Sequence, residues 1–408
     1  MIRSIPILPA GSQPTSRRPS GNSAISLTAL PPLALYVHIP WCVKKCPYCD
    51  FNSHEAREDI PEQQYIDTLF RDLEQALPQV WGRKVYTIFF GGGTPSLLSA
   101  EGLDRLMAGL RARLPLEHCS EVTLEANPGT FEAAKFRAYH ESGINRLSIG
   151  IQSFNPKHLK ALGRIHDENE ALAAIDIAHR QFDNFNVDLM YGLPEQTLRE
   201  AMRDIEAAIA CDPPHLSAYH LTLEPNTLFH RYPPPLPCDE LAADMQEMIE
   251  ETLAGAGYVH YETSAFAKTG RECKHNLNYW QFGDYLGIGA GASSKLSFPD
   301  RIVRSLRTKQ PNAYMTSVED GKHILDEHEV TVGDLPFEFM MNALRLTDGF
   351  PLSHFTERTG LSLTVVQGEL RKAEEKGLIV RDHATLKPTL RGQRFLNDLL
   401  QLFLPAEA

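Results

Sequence analysis

Three cysteines, Cys42, Cys46 and Cys49, fall within eight residues of one another. Thiolates are the usual ligands of iron–sulfur clusters, and a four-iron cluster held by three of them keeps one iron open. An open position on a bound metal usually serves to bind another ligand. The alternatives are three unrelated core cysteines or a structural zinc site, which normally needs four ligands. Only His38 or His54 lies close enough in sequence to supply the fourth, so the spacing favours the cluster.

The elements that would position these cysteines alternate between strands and helices from about residue 33 to residue 223. Short apolar runs predict six strands, Leu33–Ile39, Val85–Phe90, Glu121–Glu125, Arg146–Ile151, Phe185–Met190 and Leu216–Leu221. Segments of helical period between them predict five helices, Gln63–Leu77, Ala100–Leu114, Phe131–Ser142, Asn169–Arg180 and Thr197–Ala210. This alternation predicts parallel β/α units. Six units are too few for a closed eight-stranded barrel, so we expect an α/β fold with a partial (β/α)6 barrel.

Polar or glycine-rich residues recur where these strands end. The second strand ends in Gly92, Gly93 and Thr94, the third at Glu125, the fourth at Gln152 and the fifth at Asp188. Each has an ordinary explanation, such as a turn, a helix cap or an ion pair. The carboxyl ends of parallel strands line one mouth of a barrel. Their repetition therefore predicts a ligand site above the cysteines.

The CxxxCxxC spacing, with Tyr48 before its last cysteine, resembles the signature of the radical SAM superfamily. This resemblance implies that the three cysteines hold a [4Fe–4S] cluster whose open iron binds S-adenosylmethionine. The residue types at the strand ends suit that ligand, because its amino group needs carboxylate acceptors and its carboxylate needs a cation. Arg164 is the candidate cation.

Longer motifs resemble one branch of the superfamily, the coproporphyrinogen-dehydrogenase branch with its HemN and HemW families. The matching segments are YVHIP at 36–40, FFGGGTP at 89–95, GIQSF at 150–154 and DLMYGLP at 188–194. The resemblance implies that adenosylmethionine contacts Tyr36, Tyr48, Gly92, Gly93, Thr94, Glu125, Gln152, Arg164 and Asp188. It identifies no catalytic residue.

Two features separate the families within this branch. HemN proteins have a further cysteine two residues after the third ligand, where this chain has Phe51. The segment His275–Trp280 fits the motif HNxxYW, which resembles a haem-binding signature of HemW proteins. Histidine is a common axial ligand of haem iron, so His275 is the candidate ligand and Cys273 a weaker one. The alternative for this motif is an aromatic cluster that seals the barrel.

The resemblance to HemW implies a haem chaperone, with the cluster, adenosylmethionine and haem as cofactors. Its implied partners are haem-accepting respiratory proteins and a haem donor such as bacterioferritin, and a homodimer is possible. The alternative is an oxygen-independent coproporphyrinogen III dehydrogenase that forms protoporphyrinogen IX by radical decarboxylation. Phe51 and the HNxxYW motif argue against that enzyme.

The remaining chain divides into three parts around the barrel at 33–230. Residues 1–32 are rich in Pro and Ser, and we expect a disordered arm, with an organellar presequence as the alternative. Residues 231–329 form a barrel extension with a glycine-rich stretch at 287–294, which either closes over adenosylmethionine or is a packing turn. Residues 330–408 predict a winged-helix-like helical domain with helices Phe337–Leu346, Leu352–Thr359 and Leu363–Lys376.

Composition narrows the class of protein further. The chain has 408 residues and a net charge of −12, which argues against a general nucleic-acid binder. Seven cysteines, an odd number, do not suggest a disulfide framework, so we expect a reducing, cytoplasmic location. No apolar run in the sequence approaches the length of a membrane span.

Overall fold

The computed structural model describes residues 25–56, 59–130 and 132–405. These described residues form seventeen strands and fifteen α-helices. The strands are β1 (Leu33–Ile39), β2 (Trp41–Cys42), β3 (His54–Glu55), β4 (Val85–Gly92), β5 (Leu116–Ala126), β6 (Arg146–Gln152), β7 (Phe185–Tyr191), β8 (His215–His220), β9 (Val259–Glu262), β10 (Ala265–Ala267), β11 (Asp284–Ile288), β12 (Ser293–Phe298), β13 (Arg301–Arg307), β14 (Ile324–Glu329), β15 (Phe350–Pro351), β16 (Ile379–Arg381) and β17 (Thr385–Pro388). The helices are α1 (Glu62–Ala76), α2 (Ala100–Arg113), α3 (Ala133–Glu141), α4 (Pro156–Ala161), α5 (Glu168–Gln181), α6 (Leu198–Ala210), α7 (Leu228–Arg231), α8 (Asp239–Gly255), α9 (Lys274–Trp280), α10 (Pro311–Glu319), α11 (Leu335–Ala343), α12 (Leu352–Thr359), α13 (Gln367–Glu375), α14 (Leu390–Arg394) and α15 (Leu396–Gln401).

One mixed sheet of twelve strands, among the described residues, organises the fold. Its order is β14-β13-β12-β11-β1-β4-β5-β6-β7-β8-β10-β9. The strands β1, β4, β5, β6, β7 and β8 are parallel neighbours in chain order, and they are the six strands that the sequence predicts. The sheet does not close, because β14 and β9 are its two edges. The expected α/β fold with a partial (β/α)6 barrel is confirmed.

The parallel strands are apolar because both of their faces are covered. In β1 every residue except the half-buried Tyr36 is buried, as expected for a strand between a barrel interior and an outer layer of helices. Helices α5 and α6 start at capping boxes, in which Asp167 pairs with Glu170 and Thr197 with Glu200. No helix in the described part of the chain is long and apolar enough to cross a lipid bilayer.

The barrel extension contains strands that the sequence analysis did not predict. Strand β11 lies parallel to β1, and β12, β13 and β14 continue the sheet in antiparallel order. Two cationic side chains are buried in this part of the sheet. Lys295 lies 3.0 Å from Asp284 and Arg307 lies 2.8 Å from Asp72, so each buried charge has an opposite charge beside it.

The C-terminal part has a core of its own, with Phe339, Phe355 and Leu370 among its buried residues. Helices α11, α12 and α13 pack with a three-stranded sheet in the order β15-β17-β16, as the winged-helix-like prediction expects. The predicted helix Leu363–Lys376 is divided, since Leu363–Val366 forms a 3-10 turn before α13 begins.

The predicted disordered arm at residues 1–32 is wrong for its last residues. Ile25 and Leu27 are buried in the core of the C-terminal domain, and the Leu27 amide donates to the carbonyl oxygen of Pro299 at 2.9 Å. The segment around Ser26 passes close to Gly360, and a Cβ added to Gly360 would lie 2.7 Å from the Ser26 nitrogen. Two apolar side chains on alternate residues thus attach this segment to the domain. Residues 1–24 of the arm lie outside the described residues.

Candidate functional site

The three clustered cysteines follow β1, with Cys42 at the end of β2 and Cys46 and Cys49 on the loop between β2 and β3, and we call this segment the cysteine loop. Cys42, Cys46 and Cys49 are half-buried and have free thiols. Hydrogen bonds within the loop stabilise its conformation. The Cys49 amide donates to the Cys46 carbonyl at 3.2 Å, and Lys45 Nζ donates to the Ser53 carbonyl at 3.0 Å. Burial raises the pKa of Cys42 and of Cys49. A bound metal cation is the kind of charge that lowers such a pKa and stabilises the thiolate.

The described residues contain no group of three His, Cys, Asp or Glu side chains that converges closely enough to hold one metal ion. Ligands of a four-iron cluster need not converge on a single point, because each thiolate binds a different iron. Three free thiols on one closed loop supply the donor atoms that such a cluster takes.

The glycine-rich turn after β4 lies against the start of the cysteine loop. Gly92 has a φ of +116°, and a Cβ there would lie 2.4 Å from the imidazole of His38. A Cβ at Gly93 would lie 2.4 Å from the Trp41 carbonyl oxygen. The Thr94 amide donates to that same carbonyl oxygen at 2.8 Å. Only glycine fits at both positions, so the turn brings backbone atoms next to the ligand site.

Arg164 connects the cysteine loop to the ends of two strands. Its Nη2 donates to Asn127 Oδ1 at 2.5 Å and to the Gly150 carbonyl at 2.6 Å, while its Nη1 lies 3.7 Å from Cys46 Sγ. Asn127 in turn donates to Thr94 Oγ1 at 2.9 Å. The sequence analysis assigned no role to Asn127, although this residue follows the end of β5 as the other predicted residues follow theirs. The Nε of Arg164 is buried without a partner, so this cation keeps one free donor.

Two half-buried carboxyl groups lie on neighbouring parts of the sheet, Glu125 near the end of β5 and Asp188 in the middle of β7, three residues before that strand ends. Glu125 Oε2 accepts the Gly92 amide at 3.0 Å. Burial, together with the charge of Asp188, raises the pKa of Glu125 to about 7 against the opposing effect of the Gly92 bond. Asp188 accepts from Asn186 Nδ2 at 2.7 Å and from Ser148 Oγ at 3.0 Å. Burial also raises the pKa of Asp188. Glu125 is therefore the carboxyl with spare acceptor capacity near neutral pH.

A cavity of about 320 Å³ opens at this mouth of the barrel. It has the volume of a small-molecule site. Its lining residues come from the barrel, the cysteine loop, α9 and the barrel extension: Tyr36, His38, Phe51, Asn52, Gly92, Glu125, Tyr279, Tyr285, Gly291 and Ser293. We call it the mouth cavity. Of the predicted contacts it brings together Tyr36, Gly92 and Glu125.

The other predicted contacts lie beside the mouth cavity. Thr94 and Arg164 line a second, narrower depression together with Cys46. Tyr48 packs against Phe229, with ring centroids 6.4 Å apart. Gln152 is half-buried at the end of β6 with a φ of +70°. That conformation is unusual for glutamine and is typical of ligand sites.

The glycine-rich stretch at 287–294 packs tightly at one end and lines the mouth cavity at the other. It packs tightly at Gly289, where a Cβ would lie 2.5 Å from the His38 carbonyl oxygen. Its far end, at Gly291 and Ser293, forms part of the cavity wall. Asn52 ties this wall to the cysteine loop by donating to the Ala290 carbonyl at 2.9 Å. The sequence analysis did not identify Asn52 as a residue of the site, and it named His38 only as an alternative zinc ligand.

The HNxxYW motif forms most of α9, which contributes Tyr279 to the wall of the mouth cavity. The Glu121 carboxylate accepts the backbone amides of Lys274 at 3.2 Å and His275 at 3.0 Å, which satisfies the free donors at the start of the helix. His275 is fully buried and stacks on Phe89, with ring centroids 5.0 Å apart. The motif therefore does seal the inside of the barrel, as its alternative interpretation predicts.

His275 offers no free nitrogen to an iron in this conformation. Its Nδ1 is hydrogen-bonded to Thr87 Oγ1 at 2.8 Å and its Nε2 to the Tyr279 hydroxyl at 3.0 Å. Burial, with the nearby charge of Arg146, lowers the pKa of His275 to about 3, so the ring is neutral. Burial raises the pKa of the Cys273 thiol to about 12. Both candidate haem ligands are thus enclosed and uncharged.

Comparison with known proteins gives matches over nearly the whole chain. The family model of the radical SAM superfamily matches residues 36–208, and that of the HemN C-terminal domain matches residues 330–395. The heme chaperone HemW of Escherichia coli strain K12 is 49% identical over 380 residues, which is 93% of this chain and 100% of that protein. The heme chaperone HemW of Bacillus subtilis is 35% identical over 377 residues, 90% of this chain and 98% of that protein.

A solved structure has the same fold. Coproporphyrinogen III oxidase (HemN) from Escherichia coli, a radical SAM enzyme, superposes with a TM-score of 0.78 over 92% of this chain and 90% of that one. The sequence identity is 24%. At that level the likeness establishes the fold, and function has to be argued from the site.

Proposed function

The chain belongs to the HemW family, and from this premise we propose that it is a haem chaperone, which binds haem and delivers it to haem-dependent enzymes. The observation that carries the proposal is the 49% identity to a heme chaperone over that protein's entire length.

We propose that the chain carries a [4Fe–4S] cluster and S-adenosylmethionine. The residues fit both groups, since three free thiols share one loop, a glycine turn leaves room for close approach, and Arg164 keeps an unpaired buried Nε. Cys42, Cys46 and Cys49 would hold the cluster. When bound, the cluster supplies an open iron and a one-electron reductant.

The chain's own residues orient adenosylmethionine and exclude water from it. With a pKa of about 7, Glu125 is ionised in about half of the molecules at neutral pH and accepts hydrogen bonds from a cationic amino group when ionised. Arg164 Nη1 donates to Cys46 Sγ at 3.7 Å, so this cation holds one of the three thiols of the cysteine loop in place. Tyr36 and Tyr279 form part of the wall of the mouth cavity. None of these roles requires that adenosylmethionine be cleaved.

Haem is the cargo in this proposal, and His275 is the proposed iron ligand. Because both ring nitrogens of His275 are bonded inside the protein, haem can reach it only after α9 rearranges. Respiratory haem proteins are the proposed acceptors and a haem store such as bacterioferritin is a proposed donor. From the family resemblance we further propose a cytoplasmic location and assembly as a homodimer.

A coproporphyrinogen III dehydrogenase is the second candidate, favoured by the shared fold. The sequence of the cysteine loop argues against this enzyme. Phe51, at the position of the extra HemN cysteine, lines the mouth cavity and is 60% exposed. A phenyl ring offers neither a thiol nor a proton at that position. We therefore expect no dehydrogenase activity.

An anaerobic haem titration of the cluster-loaded protein tests the proposal. Wild type, His275→Gln and His328→Gln are compared through the Soret band. His328 is an exposed histidine on β14 and serves as the matched control. We expect saturable binding by wild type and the control, and loss of the histidine-ligated spectrum in His275→Gln. Equal spectra from all three proteins would rule out His275 as the ligand, and an absence of saturable binding would rule out the chaperone.

A further inference from the structure

Tyr279 lines two cavities. One is the mouth cavity, of about 320 Å³. The other is a cavity of about 220 Å³ lined in part by Trp280, Arg304 and Asn342. Tyr285 also lines both. Protein interiors are close-packed, with few voids larger than a water molecule. A half-buried side chain that borders two such voids therefore has room to move from one toward the other.

The same ring covers the proposed haem ligand. The Tyr279 hydroxyl is hydrogen-bonded to His275 Nε2 at 3.0 Å, and the two rings meet edge to face with centroids 4.9 Å apart. One side chain thus contacts whatever occupies the mouth cavity and also blocks the imidazole nitrogen. Tyr279 is held in this position by an edge contact with Tyr285, with centroids 4.6 Å apart.

We propose that Tyr279 couples the adenosylmethionine site to haem binding, so that each ligand weakens the other. This inference rests on the proposed function. In the closed state, which is the one described here, the ring walls the mouth cavity and blocks His275. In the open state the ring turns into the second cavity and releases Nε2. Adenosylmethionine favours the closed state because the ring completes its cavity, whereas haem requires the open state.

Both states offer partners to the polar groups involved. In the closed state the Tyr279 hydroxyl pairs with His275. In the open state that hydroxyl would enter a cavity lined by the polar residues Arg304 and Asn342, while His275 Nε2 would exchange its hydrogen bond for iron. Because hydrogen bonds are exchanged and not simply lost, the free-energy difference between the states stays small enough for a ligand to reverse.

Such coupling must be reciprocal and is measured as a ratio of affinities. We expect saturating adenosylmethionine to weaken haem binding to the cluster-loaded protein by a factor within the roughly 5- to 150-fold range usual for linked sites. Haem must weaken adenosylmethionine by the same factor. The haem affinity should level off as adenosylmethionine is raised, because a linked effect saturates.

Substitutions at Tyr279 separate this coupling from direct competition. Tyr279→Phe keeps the ring but loses one hydrogen bond to His275, so haem should bind roughly fivefold more tightly without adenosylmethionine. Tyr279→Ala removes the ring, and the haem affinity should no longer depend on adenosylmethionine. Tyr285→Phe is the matched comparison. In the wild type the Tyr285 hydroxyl accepts from Arg304 Nη1 at 2.7 Å and does not contact His275. The haem affinity should therefore change less in Tyr285→Phe than in Tyr279→Phe.

The outcomes are distinct for the coupling and for the proposed function. If haem does not bind saturably to wild type, the chaperone proposal and the coupling both fail. If haem binds with the same affinity with and without adenosylmethionine, or if the dependence persists in Tyr279→Ala, the coupling alone is overturned. Hydrogen exchange of the α9 amides gives a second readout, which should slow with adenosylmethionine and quicken with haem; unchanged exchange contradicts the inference.

Discussion

Replacing Glu125 by glutamine should stabilise the ligand-free protein at alkaline pH. The carboxyl is half-buried beside Asp188, and its pKa rises from an ordinary 4.5 to about 7. The folded state therefore holds the proton more tightly than the unfolded chain does, so stability falls as pH rises between these two values. The difference of about 2.5 between the two pKa values corresponds to roughly 3 kcal/mol, which is fully lost above pH 7.

The amide introduced by Glu125→Gln does not ionise, and its oxygen can still accept the Gly92 amide. At pH 8 we therefore expect the variant to be more stable than wild type by up to about 3 kcal/mol. Near pH 4.5 the wild-type carboxyl is largely protonated in the folded state, so the difference should nearly vanish. The measurement is urea unfolding of the cluster-free, reduced protein at both pH values, with the exposed Glu141→Gln as the control.

Binding should change in the opposite direction to stability. In the cluster-loaded variant adenosylmethionine should bind more weakly, because an amide does not attract its amino group as a carboxylate does. A variant that is less stable than wild type at pH 8, or whose difference from wild type does not depend on pH, would refute the reasoning. Such a result would mean that Glu125 is solvated in the folded protein.

Three further substitutions test other parts of the site and fold. Cys46→Ala should abolish the iron content and visible absorbance of the reconstituted protein; retention of both would exclude it as a ligand. Gly93→Ala should displace the glycine turn and weaken adenosylmethionine binding at least tenfold, whereas Gly255→Ala, with nothing within 4 Å of the new methyl group, should not. Asp72→Ala leaves a buried guanidinium unpaired and should cost about 3–5 kcal/mol in urea unfolding. Burial would raise the pKa of Asp72, but Arg307 and His323 lower it to about 2. The stability that the Asp72 carboxylate gives is therefore present above about pH 4 and is lost as pH falls toward 2. If Asp72→Ala lost the same amount of stability over this pH range as wild type, the assignment would be contradicted.

The barrel was predictable because its strands are buried on both faces. A strand such as Leu33–Ile39 is an almost continuous apolar run, and its observed bounds equal the predicted ones. The strands of the extension escaped prediction because charges interrupt them. Lys295 and Arg307 look exposed in sequence, yet each is buried against an acidic residue on a different element.

The site was predictable in its residue types but not in its division between two cavities. The sequence predicts that Glu125 and Arg164 contact one ligand, and in the fold Glu125 lines the mouth cavity whereas Arg164 lines the narrower depression beside Cys46. The burial of His275, with both ring nitrogens hydrogen-bonded, also could not be predicted from the residues next to it in sequence. One of its partners, Thr87, lies 188 residues away in the chain, and Tyr279 shows its role only once α9 is seen inside the barrel.

Anaerobic transfer of haem is the most direct test of the account. Cluster-loaded protein is charged with haem, separated from free haem and mixed with a haem-free respiratory haem protein, and the Soret spectrum of each protein is followed. A parallel sample receives coproporphyrinogen III, S-adenosylmethionine and a reductant. The account predicts that haem appears on the acceptor and that no vinyl-bearing porphyrin forms. A porphyrin product, or haem that stays with the chain in the presence of acceptor, would contradict it.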